Sequence, residues 1–263
     1  MNNSLGKLIV FEGVDGAGKT TQAKLLVKYL QKKKIPCAYI SFPRYEESLW
    51  GKMVRRYLAG DFGEVNDVDP YFASMLYAGD RLSAADQIKK WLSDGKVVVC
   101  NRYVGSNMAH MGGKVESPSF VRQGRTSDGK QNEKIKFIKW LEDLEYGENK
   151  IPKEDLVIFL HVPVQVSRNL IKDRKLDIHE KDLDYLEKVI QVYKKLAKSK
   201  NYWERINCTA SGKILEPYEI HRKVLEVLKK RKILSESTNQ FVLRLSSTDI
   251  VIDVDEGIKG VKR

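Results

Sequence analysis

The run Gly13-Val14-Asp15-Gly16-Ala17-Gly18-Lys19-Thr20 constrains this chain more than any other stretch of its sequence. It matches G-x-x-x-x-G-K-[ST] at every fixed position, after the apolar run Leu8-Ile9-Val10-Phe11 and before a segment of helical periodicity. A strand that ends in such a loop and continues as a helix commits the fold to a β-loop-α unit. Glycine lets the backbone turn tightly enough for successive N–H groups to point inward at phosphate oxygens. The helix that follows presents its positive end to the same anion. Gly13, Asp15, Gly16, Ala17, Gly18, Lys19, Thr20 and Thr21 are therefore the expected nucleotide-binding residues. Lys19 is placed to reach the β- and γ-phosphates and the Thr20 hydroxyl to ligate Mg²⁺. GTPases, motors and small-molecule kinases share this loop, so it does not by itself name a reaction.

Short β-branched runs bounded by turn signals alternate with longer helical segments over the rest of the chain. Strands are predicted at 7–12, 37–42, 96–101, 156–162 and 203–208. Their near-continuous apolar runs, such as Val97-Val98-Val99-Cys100, suit central strands covered on both faces. Helices are predicted at about 18–33, 48–59, 69–93, 104–111, 132–145, 163–174, 180–200 and 217–231. The pattern is that of an α/β fold, a doubly wound five-stranded parallel sheet flanked by helices. Residues 112–131, with Gly112, Gly113, Gly124 and Gly129, are expected to form a mobile loop over the active-site face. Residues 233–263 hold two short β-like runs, Phe241 to Leu245 and Ile250 to Val254, and read either as a hairpin against the body or as a loose tail.

A chain of 263 residues with 42% hydrophobic content can bury a full core. No stretch approaches the roughly 20 consecutive apolar residues that cross a bilayer, and no secretion signal is apparent. Cys37, Cys100 and Cys208 stand far apart without CxxC spacing and read as buried thiols of a cytoplasmic protein. The formal charge of +12 points to an anionic partner, either nucleic acid or a phosphorylated small molecule. Lys32-Lys33-Lys34 and Lys229-Lys230-Arg231-Lys232 fall at predicted helix ends, where cations complement the macrodipole.

Arg44 and Arg102 each fall at the carboxyl end of a predicted strand, where ligands bind in open α/β sheets, and their forks suit a phosphate dianion. Tyr77 and Arg81 stand four apart on one predicted helix face; on spacing alone Tyr77 reads as core. Asp15 is an unusual charge for a loop that faces phosphates and calls for a specific partner. Residues 163–181 carry Arg168, Lys172, Arg174 and Lys175, a basic helix that suits a hinged lid closing over phosphoryl transfer.

Phe11 to Gln22 resembles the opening of thymidylate kinases. Phe42-Pro43-Arg44-Tyr45, Leu76 to Arg81, Asn101 to Asn107 and a basic segment followed by Asp177 and Glu180 match that family in the same order, over about residues 5–230. The resemblance implies the P-loop nucleoside monophosphate kinase fold over 1–232, with residues 233–263 as an extension of unknown role. It also implies Mg²⁺-dependent transfer from ATP to dTMP, and a homodimer. Among the residues, it implies that Arg102 binds the acceptor phosphate and that Arg44 holds that phosphate or lines its approach. Tyr77, or else Phe42, would stack on thymine, Arg81 would donate to a ring carbonyl and Asn107 would pair with the ring edge. Tyr45, Ser106 and His110 would complete the acceptor site, and Asp15 would meet the sugar 3'-hydroxyl or the metal shell. Lys19, Asp15, Arg102, Arg168 and Arg174 would be the catalytic set.

Three positions depart from the family's commoner pattern. Asn101 replaces an aspartate before Arg102, Ile178 stands where an arginine often follows the lid aspartate, and His110 replaces an aromatic residue beside the sugar 2'-position. His161, His179 and His221 lack metal-ligand spacing and read as structural or solvated. Rival readings are a kinase for another nucleoside monophosphate, a nucleic-acid-binding ATPase, and a catalytically impaired sensor suggested by Asn101. Scattered basic residues with little aromatic interleaving argue against nucleic acid.

Overall fold

The computed structural model describes residues 6–64, 66–115, 127–171 and 177–234. Its sheet holds five parallel strands, β1 (Lys7–Glu12), β2 (Cys37–Ser41), β3 (Val97–Asn101), β4 (Leu156–His161) and β5 (Trp203–Asn207), in the order β2-β3-β1-β4-β5. The chain leaves β1 for one side of the sheet and β3 for the other. Their paired ends, with Phe11 opposite Asn101, therefore border the crevice where such sheets bind ligands. Leu8, Ile9, Val10 and Phe11 are fully buried, because helices cover both faces of this central strand.

Those helices are α1 (Lys19–Lys32), α2 (Leu49–Ala59), α3 (Pro70–Leu82), α4 (Ala85–Ser93), α5 (Val104–Lys114), α6 (Ser127–Glu142), α7 (Val164–Ile171), α8 (Leu183–Ser199) and α9 (Pro217–Lys230). Their starts follow local chemistry. Ser48 caps α2 by accepting from the Gly51 N–H, Asp69 caps α3 ahead of Pro70, and Glu216 and Glu219 form a capping box on α9. At the other end of α9, Lys230 and Arg231 pair with Glu204.

Two expectations need correction. The helix expected over 69–93 is broken, because the Ser83 hydroxyl takes the Asp80 carbonyl at 2.8 Å and Ala84 N–H turns back to Arg81 O. The loop expected over 112–131 is helical at both of its described ends. Gly112 and Gly113 complete α5, and a Cβ on Gly113 would stand 3.3 Å from Val189 Cγ2, so these glycines serve the close packing of α5 on α8. At the other end, Gly129 lies within α6, while Gly124 lies outside the described residues.

Sequence reading missed the antiparallel pair β6 (Thr209–Ala210) and β7 (Lys213–Ile214), turned at Ser211 and Gly212 with φ of 48° and 75°. It also missed a π-helical turn, Asp143–Glu148, that continues α6. Cys100 and Cys208 are buried as expected, whereas Cys37 on the edge strand is half-buried. Among the described residues no helix is long and apolar enough to cross a membrane. The β-like runs at 241–245 and 250–254 lie outside the described residues.

Candidate active site

Between β1 and α1 the loop takes the conformation its glycines permit, with φ of 145° at Gly13, 79° at Gly16 and 82° at Gly18. A side chain at Gly13 would also strike the Leu160 carbonyl at 2.7 Å. Lys19 lies along the loop, donating to Val14 O at 2.7 Å and standing 3.7 Å from Asp15 Oδ1. Burial, with Arg102 adding to it, pushes the Lys19 pKa down to about 7 despite Asp15 and Glu12. A cleft opens over Lys19, Thr20 and Thr21, with Leu170, Leu215 and Pro217 as apolar wall.

Among the described residues no three His, Cys, Asp or Glu side chains are arranged to hold a metal. The Thr20 hydroxyl accepts from Asn101 Nδ2 at 3.2 Å, and Asn101 Oδ1 is buried with no partner among the described residues. These are neutral oxygen donors, which suit Mg²⁺ when phosphate oxygens and water fill the remaining positions.

A second cleft adjoins the first. Asp15, Phe42, Tyr45 and Arg102 line both. Arg102 follows β3 with a left-handed φ of 63°, which turns its side chain back across the loop. Its Nη2 donates to Asp15 Oδ1 at 2.5 Å, and its Nη1 to Ser106 Oγ at 3.1 Å and Gly13 O at 3.3 Å. Burial works against both charges of this pair. The partners outweigh it, so Asp15 is held well below the usual carboxylate range and the Arg102 pKa is raised. Two cations, Arg102 and Lys19, thus converge on one carboxylate where the clefts meet.

Deeper in the second cleft stand Tyr77, Arg81, Asn107 and His110. Tyr77 meets Tyr57 edge to face at 6.3 Å. Asn107 donates Nδ2 to the Ser74 carbonyl at 3.1 Å, leaving Oδ1 buried without a partner among the described residues. His110 stacks on His179 at 5.4 Å, and burial first, then Arg102, lowers its pKa to about 3, so it is neutral. Asp177 and Glu180 line the same cleft, and burial with Glu180 and Asp15 nearby raises the Asp177 pKa to about 6.

The residues expected at the site mostly converge, with some exceptions. Arg44 lines neither cleft. Its backbone N–H donates to Asp80 Oδ2 at 2.7 Å, its Nε to Asp80 Oδ1 at 3.3 Å, and its Nη2 to the Ser83 hydroxyl, so its fork is spent holding the turn after α3. Arg81 lines the cleft but is ion-paired with Glu145. Arg168 donates to the Glu180 carbonyl and lines neither cleft. Arg174, Lys172 and Lys175 lie outside the described residues. Ile178 is buried, its N–H on Leu58 O at 3.3 Å, so the position after the lid aspartate packs against α2.

Sequence reasoning missed Glu12. Fully buried at the end of β1, its Oε1 accepts the N–H groups of Tyr103 and Ser106 at 2.9 Å each. Its Oε2 accepts the hydroxyls of Ser106 at 2.5 Å and Tyr193 at 3.1 Å. One carboxylate therefore gathers the start of α5, beside Arg102, and fixes it to α8. The signal was a lone acidic residue closing an otherwise apolar strand. His179, read as structural or solvated, is buried on Tyr57 OH at 2.9 Å and also lines the cleft.

Residues 11–126 match the family model described as thymidylate kinase. Thymidylate kinase of Plasmodium falciparum is 30% identical over 234 residues, 89% of this chain and 95% of the relative. A probable thymidylate kinase of Methanocaldococcus jannaschii is 32% identical, over 84% of this chain and 95% of its own. The solved structure of thymidylate kinase from Candida albicans superposes with a TM-score of 0.67 at 24% identity, covering 87% of this chain and 93% of the other, and shares the fold. Likeness of that extent in both sequences, on a sheet and phosphate loop built as these are, means that the chain belongs to the thymidylate kinase family.

Proposed function

We propose that the chain transfers the γ-phosphoryl group of ATP to dTMP, giving ADP and dTDP. The observation that carries this reading is the pair of clefts that meet at Asp15 and Arg102. A triphosphate on the loop and a monophosphate in the neighbouring cleft would face each other across these two residues, with reacting atoms in line. An acceptor phosphate oxygen attacks the γ-phosphorus, the bond to the β–γ bridging oxygen breaks, and ADP leaves. Lys19 and Arg102 neutralise the charge that migrates between the phosphates. Thr20, with Asn101 beside it, would hold Mg²⁺, which supplies further neutralisation. Asp15 fixes Arg102 and is positioned for the acceptor sugar, Tyr77 stacks on the base, and Asn107 Oδ1 accepts from the ring edge. Arg168, on α7, would belong to a lid over the transfer, and the kinase domain would extend to about residue 232.

A homodimer is supported by an apolar face that is exposed among the described residues. Phe72, Met75 and Leu82 follow helical spacing along α3 and are exposed, as are Leu49 and Trp50 on α2, the helix packed against it. Trp50 covers Gly79 on that same row, where a Cβ would meet its ring at 2.4 Å. The free cysteines fit a reducing cytoplasm.

A coupled ADP-release assay with dTMP, dUMP, thymidine's ribonucleotide analogue and no acceptor tests the activity. Turnover should require an acceptor and be fastest with dTMP. Lys19→Ala should lose ~3–4 kcal/mol of transition-state stabilisation, the scale of a deleted electrostatic donor. Acceptor-independent hydrolysis at the same rate would overturn the reading.

A further inference from the structure

An ion pair lies behind the acceptor cleft. Arg81 lines the cleft and Glu145 does not. Glu145 Oε1 accepts from Arg81 Nε at 3.0 Å and from Nη2, while Arg81 Nη1 donates to the Tyr103 carbonyl at 3.3 Å. Both side chains are almost wholly enclosed. Glu145 continues the row Phe137, Leu141 at four-residue spacing, so it puts a carboxylate on the most buried line of its helix. There the helix widens into the π-turn, with Asn149 N–H reaching Leu144 O at 2.9 Å, five residues back, and Ile151 N–H taking Glu145 O at 3.1 Å. Such turns are rare and frequent at functional positions.

Three of the five guanidinium N–H groups are thereby spent, and one remains on each terminal nitrogen. Held along its Nε edge, the group cannot swing away, and it offers the cleft donors only. Asn107 is fixed in the opposite sense, because the Ser74 carbonyl takes its amide N–H and leaves Oδ1 to accept. The wall thus presents only donors from Arg81 and one acceptor from Asn107. A pyrimidine with a carbonyl at position 4 and an N–H at position 3 complements it. Cytosine, with an amino group and a bare ring nitrogen there, meets donor with donor and acceptor with acceptor.

We infer that Glu145 is a positioning residue for base selection: by clamping Arg81 it makes the cleft take a 4-keto pyrimidine and refuse a 4-amino one. The inference rests on the proposed reading of this cleft as the acceptor site. The test is steady-state kinetics with dTMP and dCMP for the parent protein, Glu145→Gln and Glu145→Asp, with thermal melts alongside. Glu145→Gln keeps the shape and removes the charge. It should raise KM for dTMP and compress the dTMP-to-dCMP ratio of kcat/KM by roughly tenfold or more, the scale of one misread buried hydrogen bond. kcat at saturating dTMP and KM for ATP should stay within about twofold of the parent. A lowered melting temperature with an unchanged ratio would assign Glu145 a purely structural role and overturn the inference, leaving the proposed activity intact. A parent protein that does not prefer dTMP would instead sink the reading of the cleft. Should Glu145→Gln be unfolded at the assay temperature, Glu145→Asp carries the same test. Withdrawing the carboxylate by one methylene breaks the clamp while keeping the charge, so there too the ratio falls, and an unchanged ratio overturns the inference.

Discussion

Replacing Glu12 separates what its shape does from what its charge does. In Glu12→Ala, the Tyr103 and Ser106 backbone N–H groups lose the acceptor they share at 2.9 Å. Each buried donor left unmade costs ~1–3 kcal/mol, so the pair costs about 2–6 kcal/mol. The two hydroxyls on Oε2 add little, because Tyr193 OH already lies 3.2 Å from Ser106 Oγ and the pair can satisfy each other. Set against a typical total stability of ~5–15 kcal/mol, that loss is a large share. Glu12→Gln keeps one carbonyl oxygen for both N–H groups and should cost only ~1 kcal/mol. Urea denaturation read by circular dichroism measures both, with the m-value expected to stay constant. Arg102 sits one residue before this bracket in a left-handed turn, so KM for dTMP should rise in Glu12→Ala more than KM for ATP. Equal destabilisation by Ala and Gln would show that accepting those two N–H groups is not what the carboxylate contributes.

Lys19 predicts a pH dependence. In the free protein it titrates at about 7, whereas phosphates would keep it protonated. MgATP affinity should therefore weaken as pH rises above about 7, approaching tenfold per unit, and calorimetry should record proton uptake; Lys19→Arg should be nearly flat over the same range. Between about 7 and the ordinary 10.5 the unfolded chain holds a proton that the folded chain lacks, so this group's contribution to stability grows with pH in that window. Phe72→Asp, at a side chain 68% exposed, should halve the mass measured by light scattering with little change in melting temperature, and an unaltered mass would remove the α2–α3 face as the interface. Gly113→Val should cost ~1–3 kcal/mol by forcing α5 from Val189, read as a lower urea midpoint.

The parallel sheet was legible because each strand is a local apolar run between turn signals, and all five were placed to within about a residue of their observed ends. The breaks were less legible. Nothing in the periodicity of 69–93 distinguishes Ser83 from any polar surface residue. The turn that ends α3 is also held by Arg44, from a different part of the chain, donating to the Asp80 carboxylate, the Asp80 carbonyl and the Ser83 hydroxyl. Gly112 and Gly113 misled for a related reason. Glycine signals a turn when read locally, but it also appears where a second helix must come close, and only α8 reveals which applies.

The site divides along the same line. Groups that approach a ligand through the local backbone, such as the glycines, Lys19 and Thr20, lie in one contiguous stretch and could be recognised from spacing. Groups that orient those side chains come from far along the chain. Glu145 stands 64 residues from Arg81, and Tyr193 stands 181 residues from Glu12. A buried carboxylate must find its donors wherever the fold supplies them, so its sequence neighbours can mark it as an acid on a buried line but do not name its partners. Arg44 and Arg81 illustrate the consequence in reverse. Sequence assigned both guanidinium groups to the substrate, but in the fold each is first engaged by an acid, and only Arg81 still lines the cleft. An arginine at the right place in a motif is thus available to a phosphate or a base only to the extent that the protein's own carboxylates leave its N–H groups unspent, and that can be counted only once the fold is known.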